Sequence, residues 1–278
     1  MTISVNTNPG AMVALQSLNK TNSELQQVQN RINTGLQVAG AKDNGGLFAI
    51  AQRMRSDVSG FGVVQQSLDR AISTVDVAMA AGEAISDILI EMKEKALAAT
   101  DTSLDSQSRS ALNEDFKALL NQISTIVGNA EFNGVNLIDG SLTDGISALA
   151  NANGTNTLTI PGEVFALGET GSAITLTAAS SFDTVTEAGA ILSQISVSLD
   201  SVNSALARMG VKSKALDIHS TFVTKLSDSL EAGIGNLVDA DMARESARLQ
   251  SLQVKQQLGV QALSIANAAP QTILSFFN

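Results

Sequence analysis

A chain of 278 residues and 28.8 kDa, carrying 17 basic and 27 acidic residues and a net charge of −10, lacks the cationic surplus that nucleic-acid binding draws on. It has no Cys, Trp or Tyr and a single His, which removes thiol catalysis, disulfide staples and zinc sites built from Cys and His. No apolar run approaches the roughly 18 residues of a membrane span. The first thirty or so residues show no basic start followed by an apolar stretch, so the chain reads as soluble, or as exported without a cleaved signal peptide.

Ala11, Leu15, Leu18, Leu25, Val28 and Ile32 recur in steps of three, four and seven, with Asn22 in the gap, a heptad-like stripe that predicts a helix over 11–32. Gly35, Gly40, Gly45 and Gly46 then predict an irregular connector. A longer stripe follows from Val64 through Leu68, Ile72, Val75, Gly82, Ile85, Leu89 and Met92 to Ala99, a rod of roughly 50 Å at the helical rise. Asp105 is placed to cap the next helix, whose stripe Leu112, Phe116, Leu119, Ile123 and Ile126 stops at Gly128. These two helices are expected to fold back as an antiparallel hairpin.

From Phe132 to Ser181 the character changes. Asn133-Gly134 has the chemistry of a two-residue type I′ hairpin turn. Residues 157–160 and 173–177 alternate polar and apolar with period two, predicting a small β-rich insert that offers little apolar surface for burial between subunits. Helix resumes behind a capping box at Thr184 and Glu187 and carries Leu192, Ile195, Leu199, Val202, Leu206 and Met209 on one face. Gly233 and Gly235 are expected to end it. A last helix follows Asp239, with Leu249, Leu252, Leu263 and Ala266 on one stripe and Val254, Leu258, Ala262 and Ile265 on its neighbour. A helix apolar over that much of its circumference needs more than one partner.

The fold class is mainly α: long helical hairpins, coiled-coil-like terminal helices paired N with C, and a small β-hairpin-rich insert in the middle of the chain. The expected division is 1–40 with 240–278 as a terminal coiled-coil region, 41–140 with 184–239 as a helical rod, and 141–183 as a small outer segment. The expected shape is elongated.

Catalytic and cofactor motifs find little support. Gly40 to Gly45 has the glycine spacing of a phosphate loop, but Gly46-Leu47 stands where Lys and Ser or Thr are required. His219 lies between Asp217 and Ser220, and residues one or two apart on a helix do not face each other; it reads as a half-exposed helix residue. Asp239 and Asp241 read as charges at a helix N-terminus. Glu91, Glu94 and Glu245 accompany no calcium-loop pattern. No enzyme activity, metal or cofactor is expected. The apolar stripes instead point to self-association.

Residues 25–35 (LQQVQNRINTG), with Ala41-Lys42-Asp43-Asn44 and residues 47–56, resemble the N-terminal signature of bacterial flagellins. Residues 238–243 (VDADMA) and 261–267 (QALSIAN) are similar to the C-terminal one, and Phe132-Asn133-Gly134 with Leu137-Ile138-Asp139-Gly140 resembles the family's hairpin. The resemblance covers about the first 140 and last 90 residues. It implies a structural subunit that self-assembles into the flagellar filament for motility, or, as the alternative, a hook-filament junction protein of the same family. It further implies extracellular location after type III export, and a flagellar export chaperone, a cap and hook-junction proteins as partners besides the chain itself, with no nucleic acid and no membrane insertion. The expected assembly interface is Leu15, Leu18, Leu25, Ile32, Leu249, Leu252, Leu258 and Leu263. Arg31, Asp43 and Asp241 match positions that the family uses around its core packing. Departures are Asn33-Thr34 for the usual Ser-Ser, Asn44 for a second Asp, and Phe276-Phe277-Asn278 for Leu-Leu-Arg. Residues 91–95 read EMKEK where flagellins recognised by the mammalian innate receptor read Arg-Val-Arg-Glu-Leu, so weak recognition is expected.

Overall fold

The computed structural model describes residues 7–142 and 144–274, the side chains of 269–274 excepted; Phe276-Phe277-Asn278 lies outside the described residues. The elements in chain order are α1 (Pro9–Thr34), α2 (Gly45–Ala99), α3 (Ser106–Asn129), β1 (Glu131–Phe132), β2 (Val135–Asn136), β3 (Ile146–Leu149), β4 (Thr157–Ile160), α4 (Val185–Val238) and α5 (Met242–Leu274). They form two compact units, residues 57–228 and residues 1–56 with 229–278. Both α2 and α4 contribute to each.

Capping decides most helix ends. The Asn8 side chain accepts from the Ala11 N–H at 3.1 Å, Pro9 occupies the first turn, and Gly35 closes α1 at φ 72° with its N–H on the Arg31 carbonyl. Asp105 caps α3 through the Ser108 N–H at 2.6 Å. The capping box of α4 is complete: Glu187 accepts from the Asp183 and Thr184 N–H groups at 2.8 and 3.0 Å, and Thr184 Oγ1 accepts from the Glu187 N–H.

Three expectations need correction. Gly45 and Gly46 belong to helix, because the Asn44 side chain accepts from the Leu47 N–H at 3.1 Å and starts α2 there; α2 is thus about 80 Å long at the helical rise, not 50 Å. Gly233 and Gly235 do not end α4, which runs to Val238. A Cβ at Gly233 would meet only Met54 Cε at 3.0 Å, the far end of a flexible side chain, and the helix runs on through this glycine. Residues 173–177 form no strand. Their alternation is real, with Ile174 and Leu176 buried, but the Thr175 N–H donates to Ser198 Oγ on α4 at 2.9 Å. The partner of β4 is the unforeseen β3, antiparallel, with Ile146 opposite Ile160.

Unit 57–228 holds the main core. Leu68, Ile85, Leu89 and Met92 of α2, Phe116 and Ile123 of α3, and Ile195 and Val202 of α4 are fully buried in one cluster. The insert enters the same core through Ile160, Phe165, Ile174 and Leu176. Gly82 sits in the α2 stripe because a Cβ there would come within 2.7 Å of Leu206 Cδ2 and 3.0 Å of Phe165 Cε2. The β1–β2 turn carries φ of 52° at Asn133 and 76° at Gly134, the positive pair that a type I′ turn requires. His219 is half-buried on α4 and donates through Nε2 to the Ala150 carbonyl at 2.8 Å, so it anchors the insert and takes no part in a triad.

Candidate functional site

The second unit is built on an antiparallel pair of α1 and α5, the two ends of the chain. Its register is marked at three levels. The Asn8 amide donates to the Ala266 carbonyl at 2.7 Å, Gln256 donates to Asn22 Oδ1 at 2.7 Å, and Arg31 Nη1 meets Glu245 Oε1 at 3.2 Å. Asn22, a gap in the apolar stripe, is therefore a paired polar layer, the usual device for specifying register in a coiled coil.

The connector after α1 is stitched to the turn between α4 and α5. Leu36 bridges to Asp239, the Gln37 N–H donates to the Val238 carbonyl at 2.7 Å, and the Ala240 N–H donates to the Gly35 carbonyl at 2.8 Å. Asp43 closes the connector by accepting from the Ala39 and Gly40 N–H groups at 3.1 and 3.2 Å. Asp241 caps α5, its carboxylate accepting from the Ala243 and Arg244 N–H groups at 3.0 and 3.1 Å. Asp239, by contrast, lies in the bridge just past the end of α4, so the expectation that it sits with Asp241 at the helix N-terminus is corrected. Arg31 Nε and Glu245 Oε2 are buried without hydrogen-bond partners, and the cost of desolvating the pair offsets much of its attraction.

Apolar cover between the two helices is thin. Leu25, Val28 and Leu252 are buried, with Ile32 and Leu249 packed against them. Leu18 and Leu263 are half-buried, and Leu18 lies over Gly259. Leu15 and Leu258 are 48% and 63% exposed. The sequence stripe thus divides into an inward set that holds α1 on α5 and an outward set. Met12, Val13 and Val260, which heptad reasoning passed over, join the outward set with Val254 and Ile265, all more than half exposed. Their signal was in the sequence: large apolar residues off the main stripe of a helix have no partner within a two-helix pair. Glu245, read from sequence only as part of a carboxylate run, was missed as the partner of Arg31, because 214 positions separate them.

Among the described residues no group of His, Cys, Asp and Glu is arranged to hold a metal ion, and no helix is long and apolar enough to cross a membrane. The site offers an exposed apolar surface on two long helices and a hydrogen-bonded junction beneath them.

Residues 5–143 match the bacterial flagellin N-terminal helical region, and residues 192–277 match the bacterial flagellin C-terminal helical region. The chain is 52% identical to flagellin FljM of Caulobacter vibrioides over 274 residues, covering 99% of this chain and 98% of that protein. It is 36% identical to a flagellin of Brucella melitensis, covering 99% of each. In fold it is similar to a putative flagellar hook-associated protein from Vibrio parahaemolyticus, with a TM-score of 0.54 and 16% identity over 71% of this chain and 100% of that one.

Proposed function

Because the chain belongs to the bacterial flagellin family and is a structural subunit of the flagellar filament, we propose that it joins its neighbours through the outward faces of α1 and α5. The observation that carries this is the exposure of Met12, Val13, Leu15, Val254, Leu258 and Ile265 on two adjoining helices. Such a surface is costly in a free monomer and is relieved by burial against further copies. In this reading Leu18, Leu25, Ile32, Leu249, Leu252 and Leu263 hold α1 on α5, while Leu15 and Leu258 meet other subunits. Arg31, Asp43 and Asp241 keep the junction in shape.

Residues 1–40 with 240–278 then form the inner coiled-coil layer, 41–140 with 184–239 the surrounding rod, and 141–183 the outer segment. Export without a cleaved signal, and contacts with a flagellar chaperone, a cap and hook-junction proteins, belong to the same reading, as does the lack of catalysis. Adding purified chain to sheared filament fragments tests it. Elongation into long filaments, abolished by Leu258→Asp with unit 57–228 still folded, is the expected result. Unimpaired elongation of Leu258→Asp removes the outward faces from the interface. A wild-type chain that adds no length to its own fragments favours the junction role instead.

A further inference from the structure

The chain has no Cys, Trp or Tyr, so its methionine thioethers are its most readily oxidised side chains. The fold divides them by access. Met92 and Met209 are buried, Met54 and Met79 are half-buried, and Met242, at the start of α5, is 43% exposed. Met12 stands apart at 67%. It lies beside Val13 and Leu15 on α1, and residues 7–19 around it carry no charge. Asn8, before it, reaches Ala266, and Leu18, after it, lies over Gly259. Met12 therefore falls on the stretch of α5 that exposes Val260 and Ile265. The most accessible thioether of the described residues is thus set in the uncharged, apolar outward face.

We propose that Met12 is a redox-sensitive modification site: a peroxide converts its thioether to the sulfoxide in the free subunit, and the sulfoxide keeps that subunit out of the filament until it is reduced. A sulfur lone pair attacks one oxygen of hydrogen peroxide, and an S–O bond forms as the O–O bond breaks. The displaced hydroxide collects the proton of the transferred oxygen and leaves as water, so the thioether is oxidised by two electrons and the peroxide reduced by two. The product puts a polar, chiral S–O group where an apolar one stood. In the free subunit water solvates that oxygen. Against an apolar partner it loses its water and meets no donor. The proposal rests on the reading that the outward faces of α1 and α5 meet other subunits, and adds a chemical control at one atom of that surface. Burial in the filament shields the sulfur, so the control acts on subunits not yet added.

Hydrogen peroxide applied to dilute monomer and to assembled filaments tests it, with peptide mass spectrometry following oxygen uptake at each methionine and seeded elongation giving the critical concentration. Met12 of the monomer should take up oxygen ahead of Met242 and of Met54, Met79, Met92 and Met209, and about tenfold or more faster than Met12 of the filament. With circular dichroism unchanged, the critical concentration of the oxidised monomer should rise about tenfold or more, and the two methionine sulfoxide reductases, one for each epimer, should restore it. Met12→Leu keeps the volume and apolar character and should elongate alike before and after peroxide, although Met242 can still be oxidised. Met12→Gln, polar at the same place, should elongate poorly with no oxidant present. Oxidised wild-type chain that elongates at its untreated concentration overturns the proposal. So does Met12→Leu inhibited as strongly as the wild type, or a Met12 that oxidises equally fast in monomer and filament. Failure of the untreated wild-type chain to elongate its own fragments is a separate result, and it overturns the filament reading along with this control.

Discussion

Replacing Leu252 and Leu258 one at a time by Ala separates the two roles of the terminal helices. Leu252 is 3% exposed and shares a small core with Leu25 and Val28. Buried Leu→Ala exchanges cost about 2–5 kcal/mol, least where the surroundings can close in. A cluster bordered by half-buried Ile32 and Leu249 can close in, which gives about 2–3 kcal/mol. A subunit that must pair its ends to enter the filament carries that cost into every addition, so the critical concentration should rise roughly 30- to 140-fold at 1.4 kcal/mol per decade. Leu258 is 63% exposed, and its truncation should change the free subunit by under about 0.5 kcal/mol. In the filament it withdraws three carbons from burial at about 0.8 kcal/mol each, which again raises the critical concentration several tens-fold, by roughly 2 kcal/mol. Sedimentation of seeded assemblies measures both shifts, and hydrogen exchange in dilute monomer tells them apart. Residues 25–34 and 242–252, nearest the junction, should lose protection in Leu252→Ala and keep it in Leu258→Ala. The reasoning fails if Leu252→Ala assembles at the wild-type concentration, or if Leu258→Ala loosens the monomer.

Arg109, 8% exposed, donates to the carbonyls of Ala99, Asp101 and Leu104 at 3.0–3.1 Å; Arg109→Ala should cost about 3 kcal/mol, read by chemical denaturation, and a loss below about 0.5 kcal/mol contradicts the clamp. Asp105 lies below the ordinary carboxylate range because the Ser108 N–H bonds to it, as does Glu187 because the Asp183 and Thr184 N–H groups do. Both carboxylates take up protons less readily in the folded chain, so their contribution is complete above about pH 5 and lost as the pH falls through their depressed values; helix content followed down to about pH 2 should fall less steeply in Asp105→Asn with Glu187→Gln. A short tag inserted after Asn153, in an exposed turn, should leave swimming intact, whereas bulk at Ala152, which packs on Gly60, should destabilise the insert. With Glu91 exposed and Lys95 held by Asp115 at 2.9 Å, endotoxin-free monomer should activate reporter cells for the innate flagellin receptor weakly; a response equal to that of an enterobacterial flagellin refutes this.

Local chemistry is legible in the order of the residues. The helices of 11–32, 64–99 and 106–128 follow from apolar spacing, the starts of α3 at Asp105 and of α4 at Thr184 from side chains that bond N–H groups within a single turn, and the Asn133-Gly134 hairpin from two residues that tolerate positive φ. Each depends on contacts among residues a few positions apart, so the sequence alone determines them. It also carried the family, through motifs near both ends.

What lay beyond it depended on distant residues. Gly45 and Gly233 look alike as helix breakers, yet one follows a cap and the other faces Met54; a glycine's cost of about 1 kcal/mol is small enough for packing to overrule. Residues 173–177 alternate like a strand, but Ser198 of α4 takes the Thr175 N–H that a neighbouring strand would have taken. The apolar stripes of α1 and α5 told which residues seek burial, and not which were to find it within the chain. That division, with Leu252 inside and Leu258 outside, was decided by the tertiary pairing of two segments more than two hundred residues apart, because a helix's periodicity describes its own faces and carries no record of how much of its circumference one partner can cover.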